Sequence, residues 1–192
     1  LDERDIAMAD ESFSDNVVST TAEVSQSGLI ASVGENYTSV SLSGIYPEYA
    51  DIEDLKIIQG RFINKIDMDE KRKVVVMSED NAKNFFKDNA SPINRNIKIG
   101  STHYKVVGIY ESNSMFTDNN MYSPYTTVQT IYAKGRTINS LTLKTRGLKT
   151  EEDSEKFEEE FRHGMSSIHN FSPDDKSAVW IWNSASQSAQ LN

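Results

Sequence analysis

Hydrophobic and polar positions alternate along several segments of the chain, and this pattern predicts β-strands. In residues 39–45, Val40 and Leu42 alternate with serines, which is typical of a strand that is buried on one face. Residues 74–77 are continuously apolar, which predicts a central strand buried on both faces. Gly100-Ser101 predicts the turn of a hairpin between two alternating segments. The other predicted strands are residues 17–24, 28–33, 96–99, 102–109, 121–124, 138–145 and 178–182.

Helices are predicted where a capping residue precedes apolar residues at helical spacing. Asp2 is expected to cap a helix that reaches about residue 11, and Ser78 a helix over residues 79–86. Thr150 and Asp153 form a near capping box for a helix to about residue 162. Strand and helix signals alternate irregularly, which favours an α+β fold over a doubly wound parallel sheet. Shorter helical segments are predicted at residues 51–55 and 126–133, and the predicted inward-facing helix residues are Ala82, Phe85, Phe86, Val128, Ile131, Tyr132, Phe157 and Phe161.

The amino-acid composition of the chain excludes several functional classes. The 192 residues carry 20 Lys and Arg against 29 Asp and Glu, a formal charge of −9. Such a chain repels phosphate backbones, so nucleic acid is not an expected partner. The basic residues do not cluster along the sequence, and Lys71-Arg72-Lys73 is their longest run. The absence of cysteine excludes disulfides, thiol catalysis and cysteine metal sites.

The three histidines offer one candidate metal site. His163 and His169 are six residues apart, with Asp174 and Asp175 nearby. This spacing fits no i, i+4 pair on a helix, and zinc sites usually need three or four well-placed ligands. Surface histidines beside acidic residues are the favoured interpretation.

An acidic cluster and an aromatic cluster offer two further candidate binding sites. Asp67, Asp69 and Glu70 suggest calcium, but they lack the spread of ligands and the glycine of an EF-hand loop, so a solvated turn is favoured. Trp180 and Trp182 would share one face of a strand, and burial in a core is favoured over an exposed ligand platform. Nucleotide-binding glycine motifs and the nucleophile elbow are absent from the sequence. An enzyme is therefore the least favoured class.

An ordered string of short motifs is more informative than any of these clusters. Its motifs in chain order are Gly44-Ile45-Tyr46-Pro47, Gly60-Arg61-Phe62 with Asp67, Val74-Val75-Val76-Met77 through Phe86, Pro92-Ile93-Asn94-Arg95, Val106-Val107-Gly108-Ile109 and Ser172-Pro173-Asp174-Asp175. From about residue 2 to residue 183, this string resembles the extracytoplasmic core domain of MacB-like ABC transporter permeases, in the FtsX-like permease family. Asn94 occupies a position where the family often has glycine, and asparagine tolerates the positive φ expected there.

The resemblance implies an architecture as well as a class. It implies a membrane-proximal βαβ-type subdomain formed by both chain ends, residues 1–50 and 136–192. It implies a central mixed α/β insert that faces outward, residues 51–135. In the family, this domain lies between two membrane helices of the permease and has no catalytic residue, cofactor or metal. ATP is hydrolysed by a separate domain or subunit.

The function implied is that of a non-catalytic periplasmic domain of an ABC permease on the periplasmic side of the bacterial inner membrane. It would transmit ATP-driven conformational change and contact a periplasmic adaptor or a substrate during export. The implied partners are its own membrane helices, the ABC ATPase, a second permease copy, an adaptor and an outer-membrane channel. The alternative is a binding or signalling domain of an FtsX-like permease that regulates a cell-wall enzyme or lipoprotein release.

The polar segment 111–120 is predicted to be a long loop, and loops on a rigid scaffold often carry recognition. We therefore expect it to contact a partner. Its candidate residues are Glu111, Ser112, Asn113, Met115, Phe116, Asp118 and Asn119.

Overall fold

A computed structural model describes residues 1–112 and 119–182 of the protein. Within these ranges the chain forms eight strands and six helices, so the predicted α+β class is confirmed. The chain divides into two compact units. Unit 1 contains Leu1–Thr20 and Leu141–Asn192, and unit 2 contains Thr21–Ser140.

Unit 1 is built on two helices from opposite ends of the sequence. The side chain of Asp2 accepts a hydrogen bond from the backbone N–H of Arg4, so the first helix begins where the sequence predicts. Thr150 and Asp153 form the predicted capping box of the last helix. The elements of unit 1 are α1 (Glu3–Ser12), the first residues of β1 (Val17–Val33), most of β8 (Ser140–Thr145) and α6 (Glu151–His169).

Helix α6 is longer than the sequence analysis predicts, ending at His169 instead of near residue 162. Met165, which is 1% exposed, continues the apolar stripe of Phe157 and Phe161 by one further turn. The helix stops at Asn170, whose left-handed backbone (φ 54°) forms the C-cap. The core of unit 1 consists of Ala9, Val17, Phe157, Phe161 and Met165.

Unit 2 holds the remaining elements. Ser78 caps α4 through its hydroxyl, which accepts from the backbone N–H of Asn81, as predicted. The two strands predicted at 17–24 and 28–33 form the single strand β1, because Gly28 (φ 69°) lies at an irregularity in the pairing and the chain continues past it. The elements of unit 2 are β2 (Asn36–Ile45), α2 (Tyr49–Ile52), β3 (Ile57–Gly60), α3 (Lys65–Asp69), β4 (Val74–Ser78), α4 (Glu79–Phe85), β5 (Asn96–Ile99), β6 (Thr102–Tyr110), β7 (Asn120–Pro124) and α5 (Tyr125–Ile131).

The strands of unit 2 form a hydrogen-bonded circuit. Its order is β1, β2, β7, β4, β6, β5 and back to β1. The β2–β7 and β4–β6 pairs are parallel, and the other pairs in the circuit are antiparallel. Strand β3 pairs with β6 outside this circuit, and β8 neighbours β1. Every residue of β4 is buried, which confirms the predicted central strand.

Three glycines of the motif string lie where a side chain would collide with another segment. A Cβ atom on Gly44 would lie 2.7 Å from Cβ of Val128, so glycine lets α5 pack closely on β2. A Cβ on Gly60 (φ 69°) would overlap the carbonyl oxygen of Val107. A Cβ on Gly108 would overlap the carbonyl oxygen of Arg61. These motif positions therefore reflect close packing of backbone segments.

The strand predicted at residues 178–182 is wrong. Asp175 accepts hydrogen bonds from the backbone N–H and hydroxyl of Ser177, so a local turn replaces the ladder. These hydrogen bonds also lower the pKa of the Asp175 carboxyl. Trp180 and Trp182 are 82% and 56% exposed, so their predicted burial is wrong as well.

The predicted subdomain boundaries, 1–50 with 136–192 and 51–135, are defined relative to a membrane and stay a prediction. In the compact units, residues 21–50 belong with 51–135. None of the helices in the described part of the chain has the length and hydropathy needed to cross a bilayer.

Candidate partner-binding site

The predicted partner-binding loop connects two buried strand ends in unit 2. It leaves β6 after Tyr110, which is 4% exposed, and the chain enters β7 at Asn120. Met121, the second residue of β7, is fully buried. Because both connections are made to core strands, the ends of this segment are held by the rigid part of unit 2.

Glu111 fixes the first end of the segment. Its backbone N–H donates to the carbonyl oxygen of Lys56 at 2.9 Å, and its carboxylate lies 3.1 Å from Nζ of the same lysine. Ser112 adds a third contact, since its hydroxyl oxygen accepts from the backbone N–H of Asp80 at 3.0 Å. The ion pair is exposed and contributes little free energy, so the backbone hydrogen bond is the main restraint.

Asn119 fixes the other end. Its carbonyl oxygen accepts from the backbone N–H of Ser41 at 3.1 Å, which extends the β2–β7 pairing by one bond. Asn113, Met115, Phe116 and Asp118 lie outside the described residues. The two ends of the segment thus contact different parts of unit 2.

A polar network lies beside the entry to β7. The hydroxyl of Ser43 lies 3.0 Å from Oε1 of Glu23 and 3.2 Å from Oδ1 of Asn120. The Tyr110 hydroxyl donates to the carbonyl oxygen of Asn120 at 3.3 Å. Burial raises the pKa of the Glu23 carboxyl above its ordinary value of 4.5, and the hydrogen bond from Ser43 opposes that rise. This network explains why Ser43 is buried on the otherwise polar side of β2.

Aromatic rings surround Tyr122 next to this network. The ring centroids of Tyr49, Tyr110 and Phe62 lie 5.1, 5.6 and 6.3 Å from that of Tyr122. Burial raises the pKa of the Tyr49 hydroxyl well above its ordinary value, so Tyr49 is neutral at physiological pH. The cluster is a stabilising core beside the loop ends.

The acidic cluster at residues 67–70 differs from the predicted solvated turn. Asp67 is fully buried and lies 2.6 Å from the guanidinium of Arg61. It also accepts from the backbone N–H of Asn64 at 3.1 Å, in the capping box that starts α3. Asp69 and Glu70 have 58% exposed side chains, so the prediction holds for them and is wrong for Asp67. The signal in the sequence is Asp67 following the Gly60-Arg61-Phe62 motif.

The histidine cluster also forms differently. His169 contacts Asp5 of α1, with Nε2 2.8 Å from both carboxylate oxygens, whereas the candidate considered in the sequence analysis used Asp174 and Asp175. Asp2, Asp5 and His169 offer ligand atoms within 4.8 Å of one another. The guanidinium of Arg4, however, bonds Asp2 at 2.8 Å and lowers the pKa of that carboxyl to about 2. We assign no metal to this group, since a fixed cation already pairs with one of its three members.

Comparison with known proteins places the chain in a family. The sequence profile of the MacB-like periplasmic core domain matches residues 1–163. The chain belongs to this family, and the resemblance inferred from the motif string is confirmed.

Two curated relatives share the matched region. The macrolide export ATP-binding/permease protein MacB of Aggregatibacter actinomycetemcomitans is 33% identical over 132 residues, which cover 67% of this chain and 20% of that protein. The protein of the same name from Mannheimia succiniciproducens is 30% identical over 141 residues, covering 72% and 21%. The matched region thus spans about a fifth of the length of these relatives.

Solved structures show the same fold. The periplasmic region of MacB from Actinobacillus actinomycetemcomitans matches with a TM-score of 0.80 and 29% identity, covering 100% of this chain and 82% of that one. The extracellular domain of the noncanonic ABC-type transporter YknZ from Gram-positive bacteria matches with a TM-score of 0.76 and 20% identity, covering 90% and 86%. At that identity the second match indicates the fold alone.

Proposed function

We propose that this chain is a non-catalytic periplasmic domain of an ABC transporter permease at the bacterial inner membrane. It transmits conformational change driven by ATP hydrolysis and contacts a periplasmic adaptor or a substrate during export. The observation that carries the proposal is the family match over residues 1–163. The names of the curated relatives, which combine ATP binding, permease and macrolide export, support the export role.

The partners follow from this proposal. They are the permease's own membrane helices, the ABC ATPase, a second permease copy, a periplasmic adaptor and an outer-membrane channel. Residues 1–50 and 136–192 form the part nearest the membrane, and residues 51–135 face outward. Helices α1 and α6, from opposite ends of the sequence, belong to one compact unit, which supports a common location for both chain ends.

The segment 111–119 is proposed as the adaptor contact. Glu111 and Asn119 hold its ends by backbone hydrogen bonds to Lys56 and Ser41. Ends fixed in this way lower the conformational entropy that a partner must remove on binding. Met115 and Phe116 supply residue types that are enriched at interface cores.

The test replaces residues 113–118 with glycine and serine in the full-length transporter, which leaves the anchors at 111, 112 and 119 intact. Capture of the purified adaptor is then measured. A matched control replaces residues 87–91, which are exposed in the same unit. We expect at least a tenfold loss of adaptor capture for the first variant, about 1.4 kcal/mol, and no loss for the control.

Unchanged capture by the 113–118 variant would remove this segment from the interface while leaving the family assignment in place. Loss of ATP-dependent export with normal adaptor capture would instead support contact with the substrate.

A further inference from the structure

Four basic residues from three separate segments of the sequence line one cleft in unit 2. The cleft has a volume of about 660 Å³. Arg61 follows β3, Arg72 and Lys73 precede β4, and Lys105 lies on β6. The residues that line the cleft are Gly60, Arg61, Arg72, Lys73, Val74, Ile93, Asn94, Lys105 and Val107.

The charge of this cleft is opposite to that of the whole chain. Its lining contains four cations and no carboxylate, whereas the protein carries a formal charge of −9. Two acidic neighbours reduce the local excess: Asp67 pairs with Arg61 at 2.6 Å, and Glu70 pairs with Arg72 at 2.7 Å. The cleft therefore keeps an excess of about two positive charges, which attracts anions.

Lys73 and Lys105 carry this excess. Both residues line the cleft, where the backbone N–H of Lys105 donates to the carbonyl oxygen of Lys73 at 3.0 Å and Lys105 is in register with Val74. Among residues 1–112 and 119–182, neither ammonium group has an ion-pair partner. Like charges that line one cleft repel, so a multivalent anion bound in the cleft would relieve an unfavourable interaction.

The remaining walls are apolar or backbone. Val74 and Val107 are 7% and 6% exposed, and Ile93 is partly buried, so they form a firm surface beside the lysines. Asn94 shapes the rim, because its φ of 67° turns the chain and its N–H donates to the carbonyl oxygen of Val106 at 2.8 Å. A volume of this size falls within the range of small-molecule sites.

We propose that this cleft binds an organic phosphate. The phosphoryl oxygens contact Lys73, Lys105 and Arg72, and the apolar part of the ligand packs against Ile93 and Val107. Arg61 is held in place by Asp67 and adds to the positive electrostatic potential of the cleft. The proposal concerns unit 2 alone and does not depend on the adaptor role of segment 111–119.

Calorimetric titration of the 192-residue chain with inorganic pyrophosphate at low ionic strength tests the site. We expect one saturable site whose affinity falls as salt is added. The paired substitution Lys73→Gln with Lys105→Gln should weaken binding about tenfold or more. The matched control, Lys87→Gln with Lys98→Gln, removes the same charge from exposed lysines of the same unit and should change affinity by less than about twofold.

Two further ligands distinguish the source of the phosphate. Glycerol 3-phosphate represents a free metabolite, and a short-chain phosphatidate below its micelle concentration represents a lipid headgroup. Equal affinities would identify a free organic phosphate. Tighter binding of the phosphatidate, lost on Ile93→Ser, would identify a lipid.

Three results would overturn the proposal. They are absence of saturable pyrophosphate binding, equal weakening by the two lysine pairs, and binding that perturbs the amide resonances of residues other than those lining the cleft. Far-UV circular dichroism checks that each variant is folded. Since the substituted lysines are exposed, we expect unchanged spectra.

Discussion

Replacing Asp67 with asparagine tests how far one buried carboxylate organises the segment between β3 and β4. The Asp67 side chain has no exposed surface. It accepts from the Arg61 guanidinium at 2.6 and 3.2 Å and from the backbone N–H of Asn64 at 3.1 Å. Asparagine is nearly isosteric, so Asp67→Asn removes the charge and one acceptor without opening a cavity.

The size of the expected stability loss follows from how deeply Asp67 and Arg61 are each buried. Breaking a fully buried ion pair costs about 3–5 kcal/mol. The Arg61 side chain is 41% exposed, however, so water solvates part of the charge left behind. The loss of a charge-assisted hydrogen bond costs about 1.5–3 kcal/mol. We expect Asp67→Asn to lower the free energy of unfolding by about 2–3 kcal/mol, and Tm by roughly 4–12 °C.

Urea denaturation followed by far-UV circular dichroism measures this change. Asp69→Asn is the matched control on the same helix, since its partner Lys65 is 83% exposed and the expected effect is below about 0.5 kcal/mol. A midpoint shift at constant m indicates a change in stability alone. If the two variants lose equal stability, the buried ion pair does not hold this segment in the way the contacts imply.

Three other substitutions test the packing and the electrostatics. Gly108→Ala places a Cβ against the carbonyl oxygen of Arg61 and should cost about 1–3 kcal/mol in urea denaturation. Burial raises the pKa of Glu23, so wild-type stability should decline as pH rises from 4.5 through the folded-state pKa. Glu23→Gln should lack this decline when thermal unfolding is measured across pH. Phe161→Ala should cost about 3–5 kcal/mol, and exposed Glu159→Ala less than about 0.5 kcal/mol.

For each of these three predictions, one result would contradict the physical reasoning. A Gly108→Ala variant as stable as wild type would mean that the Arg61 segment moves aside at little cost. Parallel pH profiles for wild type and Glu23→Gln would mean that this carboxyl has the same pKa in the folded and unfolded chain. Equal losses for the two α6 substitutions would mean that Phe161 is not part of a packed core.

Features governed by local sequence were predictable. Asp2, Ser78 and Thr150 cap helices through contacts within three residues, so the sequence indicates each helix start directly. The hairpin at Gly100 and the buried run in β4 are equally local. Ordered motifs identified the family, although each motif is weak by itself, because their glycines lie at close contacts that the fold requires.

Features set by distant contacts were not predictable. The sequence does not show that Arg61, Lys73 and Lys105 line one cleft, because the pairings of β3 and β4 with β6 bring their three segments together. Trp180 resembles a core residue by type, yet the turn at Asp175 prevents the strand that would have buried it. Tertiary strand pairing decides the first case, and a local hydrogen-bonded turn that the sequence analysis missed decides the second.

Unit 1 is formed by two separate parts of the sequence, and this has a consequence for how it folds during synthesis. Helix α1 is synthesised before α6, and its packing partners on α6 follow only after about 140 further residues, because α1 ends at Ser12 and α6 begins at Glu151. At translation rates of about 5–20 residues per second, this interval is roughly 7–28 s. During this interval Ala9 and Phe13 lack the aromatic rings of Phe157 and Phe161 that later cover them. The apolar face of α1 therefore stays uncovered until α6 has been made, and unit 1 should complete its fold after unit 2.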